Sequence, residues 1–463
     1  MSQAKREPSS ENKLGTMNIW RLIVVMALPV AASMLVQALY NVVDGIYISR
    51  ISDSAVTAIS LAQPVQNLLI GFAVSIAVGV NALMSRSLGE KNRDEASRAL
   101  GNGLFMGIVV SLGFLLFGFL GVGSFYRVQS DQLETIANGI RYSSICSIFS
   151  FGVLAEVLLE RALQASGRSV YSMIAQCIGA GLNILLDPVL IFGWLGLPAM
   201  GIAGAAVATV LSQWIAALIA LLFNLRFNTD ISFGLRFLRP NRKTIRPILA
   251  VGVPSLIMTG IGSVVNFTLN QIFQGFSEVA TGVVGIYYRL QGFFFMPIYG
   301  LNTAAISIIA YNYGAGKPDR MREATKDASL LAEGIALLGV VVFMAFPQWL
   351  LGFFAPSPEF LEIGTAALRI TSLGFLFAPV SIMISAFFQA VGDGIHSSVV
   401  SLCRQVVGLL PVAYLLSLTG SVGNMWWAFL ISEVFGLIVA LILLRNKSRA
   451  LLKIRQANQD LQS

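Results

Sequence analysis

Charged side chains are scarce in this sequence: Asp, Glu, Lys and Arg make up only 12% of its 463 residues. Soluble proteins carry about 25%, so the composition excludes an ordinary water-soluble domain. Cysteine and histidine are rarer still, with three Cys and a single histidine, His396. The cysteines lie in apolar segments without paired spacing, which predicts neither a disulfide framework nor a metal site. A membrane-embedded hydrolase needs metal ligands or a nucleophile with its base, so none is expected here.

Apolar residues, in contrast, make up 56% of the chain and gather in long runs. Each run reaches the roughly 20 residues that a helix needs to cross a hydrocarbon core about 30 Å thick. The runs lack the alternation of strands, so we expect helices, which satisfy their own backbone hydrogen bonds in lipid. The sequence therefore predicts an all-α polytopic membrane protein in a lipid bilayer. Its twelve predicted transmembrane helices lie near residues 19–48, 54–82, 97–122, 134–160, 170–195, 199–225, 245–272, 279–309, 324–347, 361–390, 396–417 and 423–445.

The net charge of +8 is distributed unevenly along the chain. Nearly all Lys and Arg fall in the N-terminal tail, in loops after even-numbered helices or in the C-terminal tail. Arg50 and Arg127 are the basic residues in loops on the opposite side. By the positive-inside rule this asymmetry places both termini in the cytoplasm, and we expect a bacterial cytoplasmic (inner) membrane. The basic charge is thus a topology signal, and no nucleic-acid partner is expected.

The two halves of the chain match each other at a constant offset of 225 residues (254 − 29), which places Pro254 on Pro29 and Gly314 on Gly89. Each half then carries six helices. Because an even number preserves orientation, the repeat is parallel: two six-helix lobes related by a pseudo-twofold axis along the membrane normal. Six prolines inside predicted helices are candidate hinges, because proline removes a backbone hydrogen bond. They are Pro29, Pro64, Pro254, Pro297, Pro379 and Pro411.

The repeat divides the chain into five parts. We predict a disordered cytosolic N-terminal tail, an N-terminal lobe, a basic cytoplasmic connector, a C-terminal lobe and a cytosolic C-terminal tail. Their respective bounds are 1–17, 18–225, 226–244, 245–446 and 447–463.

Acidic residues inside the predicted helices are few, and such residues are costly in a membrane and usually functional. At about 1.5 Å per residue, Asp44 lies roughly 35 Å along the first helix and Asp187 roughly 28 Å along the fifth. Asn41 and Asn183 precede these acids by about one helical turn. Each helix therefore brings an amide and a carboxylate to the outer half of the bilayer.

The repeat indicates that these two acids are not required by the fold. The offset of 225 places Leu269 on Asp44 and Val412 on Asp187, so both acids occur only in the N-terminal lobe. An acid that the fold itself required would be needed in both copies. The asymmetry therefore favours a functional role.

Two neighbouring carboxylates in a low-dielectric pocket repel each other and resist ionising together. Such a pair can exchange a proton at physiological pH, hold Na⁺ with the help of amide oxygens, or attract an organic cation. A site that takes either ion or substrate couples their movements. The alternative is that Asp44 and Asp187 lie beyond the hydrocarbon, in an outer vestibule.

The other intramembrane acids give weaker signals. Glu160, next to Arg161, predicts a neutralised pair near the membrane interface, and Glu433 is placed to meet Arg404. No role is predicted for the remaining two, Glu156 and Glu333.

Tyr, Met, Gln and Arg residues in the helices are candidates for a substrate cavity, because aromatic rings hold lipophilic cations and Met re-packs around varied shapes. The alternative is that they contact lipid or neighbouring helices. The candidates are Tyr40, Tyr47, Met34, Gln37, Gln66, Tyr288, Arg289 and Gln291.

The chain resembles the multidrug and toxic compound extrusion (MATE) family over residues 17–446. The carrying motifs are ALPVAASMLVQALYNVVDGIYIS, SRSLGE, LQASGR, LNILLDPVLIFG, GIAGAAVAT and AYNYGAGKPDRMREA, in this order and over both halves. The resemblance implies an exporter that is driven by inward movement of H⁺ or Na⁺ and works by rocking of its two lobes.

Two branches of that family differ in where their acids lie. The NorM-like branch carries functional acids in helices 7 and 10, where this chain has only Glu362 at an outer edge. The DinF-like branch has its cation site in the N-terminal lobe. Asp44, Asn183 and Asp187 match that pattern, with Thr209 as a fourth member. The resemblance thus implies proton coupling, with Na⁺ at the first three residues as the alternative.

We therefore predict a secondary active multidrug efflux antiporter that works as a monomer. Small organic cations are the expected substrates, H⁺ or Na⁺ is the coupling ion, and no other cofactor or metal is expected. The alternative function is a flippase or exporter of a lipid-linked or other amphiphilic metabolite, which would need a cationic cavity. A channel or receptor is a further alternative that saturable, ion-coupled flux would exclude.

Overall fold

The computed structural model of the protein describes residues 12–354 and 357–460. Within these ranges the chain is all-α, with ten long apolar helices and two bent helix pairs that complete twelve spans. The predicted fold class, twelve helices in two six-helix lobes, is confirmed.

The N-terminal lobe contains the first six helices. They are α1 (Ile19–Ser49), α2 (Asp53–Gly89), α3 (Arg93–Gln129), α4 (Leu133–Ile148 and Phe151–Ala165), α5 (Ser169–Phe192) and α6 (Ile202–Phe227).

The C-terminal lobe contains the other six. They are α7 (Arg242–Gln274), α8 (Glu278–Gly314), α9 (Pro318–Ala345), α10 (Pro358–Leu376 and Ala378–Ala390), α11 (Gly394–Ser417) and α12 (Val422–Lys447). The last helix continues to Asp460, so helix extends into the predicted C-terminal tail.

Polar caps decide where several helices begin. The side chain of Ser52 accepts a hydrogen bond from the backbone N–H of Ala55 at the start of α2. Ser277, the repeat equivalent of Ser52, caps α8 in the same way. Such caps satisfy backbone donors that have no partner within the helix. The helices thus extend past the apolar runs into polar sequence on both sides.

One helix in each lobe is bent at equivalent places: α4 by 46° and α10 by 42°. Pro379 follows the bend of α10, but its repeat equivalent in α4 is Leu154. The bend therefore belongs to the repeated fold rather than to the proline. Two π-helical segments, Phe117–Gly121 in α3 and Cys403–Leu409 in α11, were not predicted.

Twelve spans place both termini on one side of the bundle, called the terminal side below; the other is the far side. The two lobes meet through the terminal-side halves of α2 and α8. A Cβ on Gly89 would overlap the backbone of α8, and a Cβ on its equivalent Gly314 would overlap the backbone of α2. Deeper in the same contact, the Ser307 hydroxyl donates to Asn81 Oδ1 at 2.9 Å. The bundle is therefore closed on the terminal side.

The far-side halves of α1, α2, α7 and α8, the helices that pack across the two lobes, expose polar side chains. They include Asn41, Asn67, Asn266 and Arg289. Amide and guanidinium groups at membrane depth avoid lipid. We infer that these residues line a water-filled cleft between the lobes, open toward the far side.

Residues just before α1 connect the two lobes on the terminal side. Asn12 Nδ2 donates to the Ser166 carbonyl at 3.3 Å in the N-terminal lobe and to Asp230 Oδ2 at 3.1 Å in the connector after α6. The Leu14 carbonyl accepts from Asn312 Nδ2 at 3.0 Å and from Arg320 in the C-terminal lobe. The predicted disordered tail is therefore wrong for residues 12–17, because Leu14 is fully buried between the lobes. Residues 1–11 lie outside the described ranges.

Candidate functional site

Two aspartates from different helices meet inside the N-terminal lobe. Packing of α1 against α5 brings the carboxyl groups of Asp44 and Asp187 close to each other, and Asp187 has no exposed surface. Two carboxyl oxygens can share a hydrogen bond only when one of them carries a proton. The geometry therefore suits a pair that holds one proton between them.

An asparagine and a threonine extend the aspartate pair. Asn183 Nδ2 lies 3.5 Å from both Asp187 Oδ1 and Thr209 Oγ1, and Asn183 is 2% exposed. Three buried oxygens here lack a hydrogen-bond partner among the described residues: Asp44 Oδ1, Asn183 Oδ1 and Asp187 Oδ2. Unsatisfied carboxylate and amide oxygens are the donor set that a proton or a hard cation takes. We call these four residues the aspartate site.

Local sequence explains how α5 presents this site. Pro188 follows Asp187 inside the helix and lacks an N–H, so the carbonyl one turn earlier loses its helical partner. Gly179 packs against Ala216 of α6, where a larger residue would collide. These small contacts hold α5 close to α6 and so bring Thr209 to Asn183.

A cavity of about 190 Å³ adjoins the aspartate site. Three of the predicted substrate-cavity residues line it, namely Met34, Gln37 and Tyr40. Asn183 and Thr209 form its wall next to the aspartates. The cavity runs on to α4, where Glu156, Glu160, Arg161 and Gln164 line it.

The predicted ion pair between Glu160 and Arg161 is wrong. Arg161 Nη1 donates instead to Gln164 Oε1 at 3.0 Å, and Glu160 Oε1 is buried without a partner in the described chain. Adjacent helical residues point about 100° apart, so the two side chains diverge. Sequence reasoning gave Glu156 no role; its i, i+4 spacing to Glu160 was the signal that could have marked it.

The C-terminal lobe holds a second cavity, of about 350 Å³. Tyr288 and Gln291, both predicted cavity residues, line it. The predicted meeting of Arg404 and Glu433 is confirmed there, with Nε and Oε2 3.6 Å apart. This cavity therefore carries one charge of each sign, in contrast to the acidic cavity of the N-terminal lobe.

The remaining predicted residues lie outside both cavities. Tyr47 packs its ring against Phe192 with ring centroids 6.3 Å apart, and Gln66 donates to the Tyr142 hydroxyl at 3.0 Å. Asn41 and Arg289 are exposed, and neither lines these two cavities. Asn41, three positions before Asp44 on α1, is therefore not part of the buried aspartate site.

Comparison with known proteins agrees with the doubled architecture. A family model described as MatE matches residues 29–189 and again residues 254–415. The two matches begin 225 residues apart (254 − 29), the offset seen in the sequence.

Relatives and solved structures match over nearly the whole chain. The multidrug export protein MepA of Staphylococcus aureus (strain MRSA252) is 24% identical over 426 residues, 92% of this chain and 93% of its own. MepA of Staphylococcus haemolyticus (strain JCSC1435) is 24% identical over 438 residues, 93% of this chain and 95% of its own. A structure described as the outward-facing conformation of a multidrug resistance MATE transporter of the MOP superfamily superposes with a TM-score of 0.89 at 26% identity, covering 97% of this chain and 100% of that one.

Proposed function

The chain belongs to the MatE family, and from that premise we propose that it is a secondary antiporter that exports cationic amphipathic compounds in exchange for an inward proton. The observation that carries the proposal is the close approach of the carboxyl groups of Asp44 and Asp187 inside the N-terminal lobe, where Asp44 Oδ1 and Asp187 Oδ2 lack a hydrogen-bond partner in the described chain. A proton shared by two carboxyl groups is released when a cation approaches, since the cation stabilises the doubly ionised pair. Proton and cationic substrate therefore compete for the aspartate site.

Charge in the cavities supports cations as substrates. The N-terminal cavity is lined by Glu156 and Glu160 with a single basic residue, Arg161, and it opens on the aspartate site. Its walls include Tyr40 and Met34, an aromatic ring and a thioether that accommodate apolar cations. An anionic amphiphile would meet repulsion here.

The contacts between the lobes support alternating access. The lobes touch at the Gly89–Gly314 crossing on the terminal side and leave polar side chains exposed on the far side. Rocking of the two lobes about the middle of the bundle would break the first contact and close the cleft. The aspartate site lies within one lobe, so it moves as part of a rigid body during this change.

Three further features belong to the proposal. The basic loops and tails lie on the terminal side, so we place that side in the cytoplasm of a bacterial cell, with the protein in the cytoplasmic membrane. The aspartate site supports an assignment to the DinF-like branch. Each chain contains both lobes and a complete site, so a monomer suffices.

The test is substrate-driven collapse of a pH gradient in liposomes that contain the purified protein. A cationic dye such as ethidium, added on the side opposite to the proton excess, should dissipate the gradient at a saturating rate, with or without sodium. Dye movement that follows a sodium gradient and leaves the pH gradient intact would replace H⁺ by Na⁺ as the coupling ion. Dye movement that neither gradient affects would refute antiport.

A further inference from the structure

A row of polar side chains continues from the aspartate site toward the terminal side, inside the N-terminal lobe. Glu156, Glu160 and Gln164 recur at spacings of four on the second half of α4 and therefore share one face. All three line the cavity that also touches Asn183 and Thr209. One cavity thus connects the aspartate site to the inner part of α4.

The row covers most of the depth between the aspartates and the terminal-side loop. Glu156 lies beside Gly179, since a Cβ on that glycine would be 3.7 Å from Glu156 Oε1. Gly179 is eight residues from Asp187, which corresponds to about 12 Å along α5. Glu160 is one turn nearer the terminal side. Gln164 ends the row, where its amide donates to the Ser172 hydroxyl at 2.8 Å across the α4–α5 turn.

Glu160 is the least satisfied member of the row. It is 6% exposed, and its Oε1 has no hydrogen-bond partner in the described part of the chain. The titratable or charged groups that face the two glutamates are Tyr40 from α1, Cys177 from α5 and Arg161 on α4 itself. A buried carboxyl with a free oxygen that lines a cavity is ready to take a proton from it.

The other lobe shows that the fold does not need these acids. The offset of 225 places Ser381 on Glu156 and Ser385 on Glu160, and both serines are buried. The scaffold bond at the end of the row is kept, because Gln389 donates to Ser397 at 3.0 Å as Gln164 does to Ser172. Asp44, Asp187, Glu156 and Glu160 are thus four acids that the N-terminal lobe has and the C-terminal lobe lacks.

We propose that Glu156 and Glu160 form a second proton site, which receives the coupling proton from the aspartate site and delivers it to the terminal side. In each step an O–H bond of one carboxyl group breaks while one forms on the next acceptor, so the donor is left as a carboxylate. The proposal rests on the antiport function above and assigns the proton a route through the N-terminal lobe.

The gap of about 12 Å between Asp187 and Glu156 is too long for direct transfer. Tyr40 lines the same cavity as Glu156 and lies near both Glu156 and the aspartates. The cavity volume of about 190 Å³ has room for several water molecules. A hydroxyl and a short water chain therefore complete the route.

The test compares two activities of one variant, Glu156→Gln with Glu160→Gln, in liposomes. Exchange of labelled for unlabelled dye needs only the substrate-bound protein to reorient, whereas uptake driven by a pH gradient needs the proton to leave. We expect gradient-driven uptake to fall at least tenfold and exchange to fall less than threefold. The matched control, Ser381→Ala with Ser385→Ala at the equivalent positions, should keep both rates within twofold of the unmodified protein.

The other possible outcomes of this experiment each overturn the second proton site, overturn the antiport proposal or support the route. Gradient-driven uptake within threefold of the unmodified protein overturns the second site while leaving the antiport proposal intact. Absence of gradient-driven uptake in the unmodified protein refutes the antiport proposal itself. If the glutamine variant loses both activities, a second variant, Glu156→Ser with Glu160→Ser, distinguishes the two explanations, because serine is the buried residue at both equivalent positions of the other lobe. If this variant also loses both activities, the acids are structural and the route is overturned. If it loses only gradient-driven uptake, the route is supported. A loss seen only with a sodium gradient assigns the pair to Na⁺ and overturns a proton route.

Discussion

At the scale of single residues, Asp44 and Asp187 are informative because their repeat equivalents are apolar. Leu269 stands at the position of Asp44, is fully buried and belongs to the core of the C-terminal lobe. The fold therefore accepts a hydrophobic residue where the N-terminal lobe has a carboxyl group. A buried group that the fold tolerates only at a cost is retained for its chemistry.

Replacing Asp44 by Asn should abolish dye export while the protein still reaches the membrane. The amide keeps the size of the side chain but cannot release a proton, so coupling is lost; we expect at least a tenfold fall in export rate. Dye accumulation in cells that produce equal amounts of each variant measures it. Leu269→Met, a volume-conserving change at the equivalent position, should remain near the unmodified level. Normal export by the Asp44 variant would contradict the site.

A second residue-scale prediction concerns stability on the terminal side. Burial alone would raise the pKa of Asp393, but hydrogen bonds from Lys447 and His396 hold that pKa below its ordinary value of 3.8. A carboxyl group with a lowered pKa stabilises the folded state above its ordinary pKa, and this contribution disappears as the pH falls through the lowered value. Asp393→Asn should therefore lower Tm by a few degrees at pH 7, and the difference should vanish in strong acid.

Thermal unfolding of the detergent-solubilised protein from strong acid up to pH 7 measures this effect. Asp319→Asn is the control, because that side chain is 89% exposed and its ion pair with Arg322 spans 3.9 Å. Exposed pairs of this kind contribute little, so its Tm should not change. A Tm difference for the Asp393 variant that is independent of pH would mean that packing, not charge, stabilises the loop.

At the scale of helices, the two lobes form ion pairs at equivalent turns with different residues. Arg168 pairs with Asp230 at 2.5 Å after α4, and Asp393, its equivalent, pairs with Lys447 at 2.6 Å after α10. The signs of the charges are reversed, but each pair ties the turn between two helices to the end of the lobe. The contact is thus a property of the repeat, and the charges are interchangeable.

Most of the helical architecture could be predicted because length and polarity alone set a membrane helix. The bend of α4 could not, since no proline marks it and Leu154 stands where Pro379 follows the bend of α10. The sequence predicted that Asp44 and Asp187 lie at similar depth in the membrane. It did not predict that their carboxyl groups approach each other, because the rotation of each helix about its axis depends on packing. The interlobe contacts of residues 12–17 were missed because a short polar segment carries no periodic signal.

The crossing of α2 and α8 gives an element-scale prediction. Gly314→Val places side-chain atoms against the backbone of α2, so the lobes cannot close on the terminal side. Export should fall at least tenfold, and a cysteine placed at Ser307 in a chain without native cysteines should react faster with an impermeant thiol reagent on the terminal side. Gly334→Ala is the control, because a Cβ there meets nothing within 4 Å. Unchanged reactivity at position 307 would mean that the crossing is not the gate.

At the scale of the whole molecule, the two lobes differ in charge although they share one fold. The N-terminal cavity adjoins four acids that the C-terminal lobe lacks, while the C-terminal cavity pairs Arg404 with Glu433. In the proposed antiport mechanism, duplication supplies two rigid bodies that rock against each other, and divergence leaves the proton-binding acids in one of them. One lobe that carries the proton from one side of the membrane to the other is sufficient for that mechanism.

The segment before α1 should set how easily the lobes separate. Arg320 of α9 donates to the carbonyls of Leu14 at 3.2 Å and Met17 at 2.7 Å, while Asn12 is held by the other lobe. Opening the terminal side must break one of these sets, so they stabilise the closed state. Arg320→Gln removes the charge-assisted bonds, so the terminal side should open more often. The thiol reaction at position 307 should then accelerate severalfold in the absence of dye. Arg322→Gln, an exposed change two residues away, should leave that reaction unchanged; equal acceleration by both variants would assign the effect to surface charge rather than to the segment.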